Sequence, residues 1–467
     1  MTSMFADRRV VTTWVLVIGV ALGVAYAASP LTVWFAAAVI GIFFWAGAGL
    51  GDRERQWVWA LLAVAIALRV IAVAALFATT DHHHVVSFFW DGDGIGLKRR
   101  AFSIRNVWLG IAVAPELFSQ AFNQTYGWTT YLYVLAYLQY ILGPSPYAVH
   151  LVNVGLFIAS AVMLFRLARR SFGREAAFIG LAILLFLPTV FSWSVSALKE
   201  SLYIFLSVAA VTATITLMRA GRFVRRVAAV LVLIAAVAVN NTVRTGALVI
   251  QVAGLLSGVL GSIIVRRISF VLLALMLIPG LGWWAATRTS IQDRVVAGLR
   301  SSASLHIGNV RTEGHGYKLL DQRFYSASLQ GSAIPTMTTA EAGRFVIRAV
   351  VCFVVLPLPW QVQSLSELVF LPQQIAWYAL VLLAAVGVVA GLRRDPLVTC
   401  VLTGVIAVAS VIIALNSGNV GTMVRFRDTV VPFVVWFSAL GGVALISRFS
   451  AHAPAIVPEE RGQRAAN

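Results

Sequence analysis

The sequence predicts an all-α polytopic membrane protein with about twelve transmembrane helices and two large external loops. Of its 467 residues, 60% are hydrophobic and only 12% are charged, and the mean hydropathy is +0.87. Soluble domains carry about 25% charged residues and cannot bury so much apolar surface. The apolar runs are about twenty residues long, which is the length of a membrane-spanning helix and about twice that of a barrel strand.

Twelve apolar segments are long enough to cross a bilayer, if the shorter ones include flanking polar residues. They are residues 10–27, 32–50, 57–78, 148–167, 175–191, 200–218, 226–240, 246–264, 268–286, 374–392, 397–415 and 429–447. The first segment also has the basic start, apolar core and small-residue end of a signal peptide. Segment 344–360 is apolar too, but its two arginines and its proline pair favour a re-entrant or interfacial helix.

Arginine-rich junctions alternate along the chain with junctions that contain few arginines. The arginine-rich junctions are 5–9, 51–56, 166–174, 219–226, 266–267, 391–395 and the tail from residue 448. The positive-inside bias predicts that these junctions are cytoplasmic, with both termini inside and loops 79–147 and 287–373 outside. The same bias accounts for the net charge of +18, so no nucleic-acid partner is predicted. The expected location is the cytoplasmic (inner) membrane.

Several motifs follow one another from residue 67 to residue 433. "ALRV" (67–70) precedes an acidic loop. The tyrosine-rich segment "TTYLYVLAYLQYILG" (129–143) is predicted to be a helix that lies on the membrane surface, and "PSPY" (144–147) follows it. "LARRSFGR" (167–174) ends a span. Pro188 then interrupts a span, and Trp193, Lys199 and Glu200 form an external turn. "VRTG" (243–246) and "GNVGTMVRFRDTVVPF" (418–433) bring arginines to two further external turns. In this order and spacing, residues 60–445 resemble the C-type (GT-C) membrane glycosyltransferases, the class of the protein mannosyltransferases and the lipid A aminoarabinose transferases.

The resemblance implies a GT-C-like organisation. Residues 1–56 would form two extra N-terminal spans, 57–286 the catalytic core with acidic loop 79–147, and 287–373 an external loop with a re-entrant or interfacial helix. Residues 374–447 would form the C-terminal spans, and 448–467 a disordered cytoplasmic tail. The sequence departs from the family at Gly96, which stands where the acidic loop often carries an aromatic residue.

The resemblance also implies transfer of a sugar from a polyprenyl-phosphate donor to a glycan or lipid-linked acceptor on the external face. Such a transfer needs a general base and cations that stabilise the leaving phosphate. Asp93, with Asp91, is the candidate base; a solvated glycine-rich turn and an Asp-x-Asp site for Mg²⁺ or Mn²⁺ are the alternatives. The candidate phosphate ligands are Arg244, Arg425, Arg427 and Lys199, supported by Glu200 and Arg69.

Some of these residues could instead have purely structural roles. Lys199 and Glu200 could be a snorkelling lysine and a helix-capping carboxylate, and Arg427 could pair with Asp428. Two other functions are also open: a polysaccharide polymerase or ligase that uses a polyprenyl-diphosphate-linked glycan, and a transporter or flippase without chemistry. No inverted repeat is visible in the sequence, and the ionisable residues lie at span ends rather than mid-membrane, which disfavours a transporter.

Overall fold

The computed structural model of the protein describes residues 14, 17, 19–24, 29–79, 92–123, 129–143, 148–312, 315–326, 333–361 and 371–452. Within these ranges the regular elements are helices, apart from one antiparallel bridge between Gly316 and Asn419. The all-α class is therefore confirmed.

Short 3-10 turns lie at Gln322–Tyr325, Ile334–Thr336 and Pro359–Gln361. In chain order the α-helices are α1 Pro30–Gly47, α2 Asp52–Thr79, α3 Gly92–Trp108, α4 Pro115–Phe122, α5 Thr130–Leu142, α6 Ala148–Ser171, α7 Arg174–Phe186, α8 Pro188–Val195, α9 Glu200–Arg219, α10 Phe223–Val243, α11 Ala247–Val265, α12 Ile268–Thr287, α13 Thr289–Val310, α14 Thr339–Val355, α15 Leu371–Arg394, α16 Pro396–Asn416, α17 Val420–Arg427 and α18 Val431–His452.

Nine of the described helices are long and apolar enough to cross a membrane: α1, α2, α6, α9, α10, α11, α15, α16 and α18. The bent pairs α7/α8 and α12/α13 raise the number to eleven if each pair is one span. Each predicted span from 32–50 onward coincides with one of these helices or pairs, whereas 10–27 lies largely outside the described residues. Large apolar side chains also cover the outer surface, for example Leu231 and Met276, which are 63% and 77% exposed. Such a surface is typical of contact with lipid.

Four of the arginine-rich junctions, 51–56, 166–174, 219–226 and 391–395, meet at one end of the helical bundle, which we call the arginine-rich end. There Arg169 of α6 donates two hydrogen bonds to the Glu54 carboxylate of α2, at 2.6 and 2.8 Å. Arg219, at the end of α9, pairs with Asp395, which precedes α16. Contacts between these junctions are what the alternation of arginines along the sequence predicts, since spans that cross in turn bring every second junction to the same side.

Glycines bring two helix pairs, α15–α18 and α11–α16, into backbone contact. A Cβ atom at Gly387 of α15 would overlap the carbonyl oxygen of Phe437 in α18, and one at Gly441 would overlap that of Leu383. The α11–α16 pair is equally close at Gly254, Gly258 and Gly404. Small residues of this kind let helices approach closely where no hydrophobic effect drives them together.

An apolar crevice of about 260 Å³ lies between α16 and the α15–α18 pair, with α14 along one side. Phe353 and Trp377 border it, together with Thr403 and Phe437 further along the helices. α14 covers most of the segment predicted to be re-entrant or interfacial, and a capping box of Thr338 and Glu341 fixes its first turn.

Candidate functional site

The turn between α8 and α9 is held by side chains of two other helices. Four consecutive carbonyl groups, residues 195–198, accept hydrogen bonds from α5 and α6. His150 Nδ1 donates to the first at 2.7 Å, Asn153 Nδ2 to the second and fourth at 2.7 Å each, and the Tyr131 hydroxyl to the third at 3.3 Å. All three donors are buried. The backbone that leads into Glu200 is therefore fixed by the protein rather than by water.

Glu200 begins α9 at the end of the bundle opposite the arginine-rich end. Its carboxylate is 2% exposed, and Arg425 of α17 donates from Nε to its Oε1 at 2.7 Å. The Arg425 guanidinium also lies 5.6 Å from the centre of the Trp193 ring. Asn419 caps α17 by accepting from the amide of Gly421 at 2.8 Å, which orients the helix that carries Arg425. A turn and a short helix from distant parts of the chain thus form one buried ion pair.

Arg244, between α10 and α11, is the second arginine beside Glu200. It lies close enough to interact electrostatically with both Glu200 and Arg425. Its guanidinium lies over two rings, 3.9 Å from the centre of Phe426 and 5.2 Å from that of Tyr203. Arg244 Nη2 and Glu200 Oε2 are both buried and have no hydrogen-bond partner within the described protein. Buried polar atoms are expensive to leave unpaired, so this pair of atoms marks a place where a polar ligand or water belongs.

A second carboxylate borders the same site. Asp428, just after α17, accepts a hydrogen bond from Trp193 Nε1 at 2.7 Å. Burial raises the pKa of Asp428 to about 6, although the hydrogen bond from Trp193 acts in the opposite direction. Asp428 and Trp193 line a cavity of about 10 Å³ together with Glu200 and Arg425, which is the space of roughly one water molecule.

Arg427 lies apart from the other two arginines. It is 2% exposed, and its guanidinium donates to the carbonyl oxygen of Leu356 at 2.9 Å and to Gln374 Oε1 at 2.7 Å. The same group lies 4.7 Å from the ring centre of Trp377. Arg427 therefore ties the end of α14 to the start of α15. Its neighbour Asp428 is instead bonded to the indole of Trp193.

Arg69 also acts inside the bundle. The span that contains Pro188 bends by 60° between α7 and α8, which leaves the carbonyl group of Leu185 outside the helical hydrogen-bond ladder. Arg69 is fully buried and donates to that carbonyl at 2.9 Å and to Ser194 Oγ at 2.8 Å. Two aromatic rings cover its guanidinium, those of Phe157 and Phe191. Arg69 thus supports the broken span that leads to Glu200.

The candidate base lies in the first turn of α3. Asp91 falls outside the described residues, and only the backbone of Asp93 is described. One turn later, Leu97 packs in a buried cluster with α5 and the turn before Glu200. Lys98 Nζ lies 3.2 Å from His150 Nε2, on the helix that holds that turn. The start of α3 is therefore anchored to the element that positions Glu200. In the described part of the chain, no three His, Cys, Asp or Glu side chains are grouped to hold a metal ion.

The predicted loop 287–373 contacts the segment just before α17. His306 of α13 is buried and donates from Nδ1 to the carbonyl oxygen of Ser417 at 2.6 Å, while its Nε2 accepts from the Tyr325 hydroxyl at 2.9 Å. The bridge between Gly316 and Asn419 runs beside this contact. The loop thereby fixes the cap of the helix that carries Arg425.

No family model, curated protein or solved structure matches this chain. The chemistry of the site follows from its own residues: two guanidinium groups meet at one carboxylate, and each guanidinium can bind an oxyanion by two parallel hydrogen bonds. Lys199, the N-cap residue of α9, lies at the same end of the bundle.

Three further site residues are not predicted from the sequence: Tyr203, Phe426 and Asp428. Asp428 carries a readable signal, because a carboxylate at the start of an apolar segment is costly to bury. The two rings carry none, because aromatic residues are common throughout the sequence and nothing in the spacing assigns them to Arg244.

Proposed function

We propose that the chain is a GT-C-type membrane glycosyltransferase that moves a sugar from a polyprenyl-phosphate donor to a glycan or lipid-linked acceptor during cell-envelope polysaccharide assembly. One observation carries the proposal: Arg244 and Arg425, far apart in sequence, meet beside Glu200 at one end of the bundle. The tail of a polyprenyl phosphate lies in the bilayer, so its phosphate arrives at span ends. Paired guanidinium groups at that level suit such a head group.

Each residue then has a defined task. The phosphate takes hydrogen bonds from Arg244, whose buried Nη2 has no partner in the described protein, and from the neighbouring Arg425. Glu200 holds Arg425 in place through its 2.7 Å bond. As the bond between the sugar and the phosphate oxygen breaks, negative charge grows on the phosphate, and the arginines stabilise that charge.

Asp93 is the proposed base. The acceptor hydroxyl attacks the anomeric carbon in a single displacement while Asp93 takes its proton, so the configuration at that carbon inverts. The anchoring of α3 through Leu97 and Lys98 supports this assignment, because these two residues, one turn after Asp93, contact the turn before Glu200 and the helix that holds that turn.

The proposal includes sidedness: the arginine-rich end faces the cytoplasm and the Glu200 end faces outward across the inner membrane. Two glycines offer open space for a labelled side chain, Gly96 in α3 and Gly221 before α10. In a background where Cys352 and Cys400 are replaced by serine, an impermeant thiol reagent added outside cells should label Gly96→Cys and spare Gly221→Cys. The reverse pattern would invert the proposed topology.

The activity is tested by reconstituting the protein with a panel of polyprenyl-phosphate sugars and measuring the release of polyprenyl phosphate. Arg244→Ala and Arg425→Ala should each weaken donor binding and slow transfer, and Arg→Lys should rescue only partly, because an ammonium group lacks the two-point fork. Arg222→Ala, an exposed arginine before α10, is the matched control.

Three results would contradict the proposal. Unchanged donor affinity and turnover in both arginine variants would place the phosphate elsewhere. Release of polyprenyl diphosphate from a diphosphate-linked glycan, without use of any monophosphate donor, would favour a polymerase or ligase. Movement of a lipid-linked substrate across the membrane with no bond broken would favour a transporter.

A further inference from the structure

A groove of about 460 Å³ opens at the arginine-rich end between α2 and α7. Arg53 and Trp57 of α2 line one side, and Arg174 and Phe178 of α7 line the other. Both arginines are exposed, and the Trp57 side chain is 57% exposed. The groove is far from Glu200, because both of its helices start at the end where Arg169 pairs with Glu54.

The two walls repeat one pattern. On each helix an arginine in the first turn is followed four residues later by an aromatic residue, which lies on the same face and about 6 Å deeper along the axis. Trp57 follows Arg53 in this way, and Phe178 follows Arg174. The groove is therefore layered, with cations at its mouth and aromatic walls below them. An amphiphile with an anionic head and a hydrocarbon tail matches that layering.

Two carboxylates, Glu54 and Glu175, also line the groove, and Glu54 interacts electrostatically with Arg174. Both oxygens of Glu54 accept hydrogen bonds from Arg169. Glu175 is exposed beside Arg174. Neither Arg53 nor Arg174 has a hydrogen bond or an ion pair with any described residue. The start of α2 and the start of α7 both lie here, so the positive ends of two helix dipoles add to the charge of the arginines.

We propose that this groove is a binding site for an anionic phospholipid of the bilayer. Its phosphate lies between Arg53 and Arg174, and one acyl chain runs along Trp57 and Phe178. A phosphate rather than a zwitterionic head is favoured because each basic group near the membrane surface favours an anionic lipid by about fivefold in affinity. This site is independent of the proposed transferase activity and lies at the opposite end of the protein.

Trp57 provides the test, because brominated acyl chains quench a tryptophan that they touch. The full-length protein is reconstituted in phosphatidylcholine vesicles that contain a minor fraction of either dibrominated phosphatidylglycerol or dibrominated phosphatidylcholine. The quenching of Trp57 is the difference between the unsubstituted protein and Trp57→Phe. Trp57 should be quenched at a lower fraction of the brominated phosphatidylglycerol. Arg53→Gln and Arg174→Gln should each reduce that preference by about fivefold. Arg222→Gln, an exposed arginine at the same end but outside the groove, should leave it unchanged.

A competition on the protein with both arginines intact keeps the test independent of whether the variants fold. Added unbrominated phosphatidylglycerol should relieve the quenching of Trp57, and the same amount of phosphatidylcholine should not. Equal quenching by the two brominated lipids, or equal relief by the two competitors, would overturn the proposal. So would an Arg53→Gln, Arg174→Gln double variant that folds and keeps the full preference.

Discussion

Breaking the ion pair between Glu200 and Arg425 should destabilise the protein strongly. The two side chains are 2% and 20% exposed and join α9 to α17 at 2.7 Å. Because the pair is withdrawn from water, removing one partner leaves a buried charge uncompensated and costs about 3–5 kcal/mol. Glu200→Gln should be the more damaging change, since it leaves Arg244 and Arg425 facing each other, whereas Arg425→Gln leaves Glu200 beside Arg244.

The double-mutant cycle isolates the interaction itself. The variant with both Glu200→Gln and Arg425→Gln should lose far less than the sum of the single losses, with a coupling free energy of about 2 kcal/mol or more. Unfolding by sodium dodecyl sulfate in mixed micelles, followed by tryptophan fluorescence, supplies the four free energies. The exposed pair of Asp52 and Arg55 is the control and should give less than about 1 kcal/mol. A coupling for the buried pair no larger than that of the control would refute the reasoning.

Three further predictions concern the base, the α14–α15 junction and a helix cap. Asp93→Asn should lower transfer by about 10²–10⁴-fold while donor binding stays nearly intact, and Asp91→Asn should have a milder effect. An end-point transfer assay measures both effects. Full activity in both variants would show that the start of α3 takes no part in catalysis. Arg427→Ala should lower the free energy of unfolding by more than about 2 kcal/mol, because two carbonyl groups and an amide lose their donor, while donor affinity stays near its original value; lost donor affinity at unchanged stability would argue the opposite. Hydrogen bonding from Arg323 lowers the pKa of Glu341 to about 2 from 4.5. This carboxylate therefore stabilises the fold fully above pH 4.5 and loses its contribution as the pH falls from 4.5 toward 2, so the stability difference from Glu341→Gln should shrink across that window, and a constant difference would contradict the assignment.

The helices are the part of the fold that the sequence predicts well. The predicted spans 57–78 and 397–415 are found as α2 and α16, and the predicted surface segment 129–143 contains α5. Hydropathy succeeds because backbone in hydrocarbon must satisfy its own hydrogen bonds, and a continuous helix of about twenty residues does so. The same pattern does not report which helices touch.

Side-chain partners are the part that hydropathy and spacing leave open. An arginine in an apolar segment needs a hydrogen-bond or ionic partner. The sequence does not indicate that the partner of Arg69 is a backbone carbonyl group that the bend at Pro188 leaves free. The spacing of one pair of arginines does indicate that they have different partners. Arg425 and Arg427 are two positions apart, and residues with that spacing on a helix do not share a face. Once α17 is known to be helical, the two arginines are expected to reach different partners, as they do.

The glycine contacts of the α11–α16 and α15–α18 pairs have a mechanical consequence. Where backbone lies against backbone, no side chain stands between the helices to change rotamer and let them slide. The α11–α16 pair and the α15–α18 pair are therefore each stiff. The apolar crevice beside Phe353 and Trp377 separates them and offers little resistance, since open space there replaces packed atoms. Deformation of the protein should concentrate in that seam, as a shear of one rigid pair past the other.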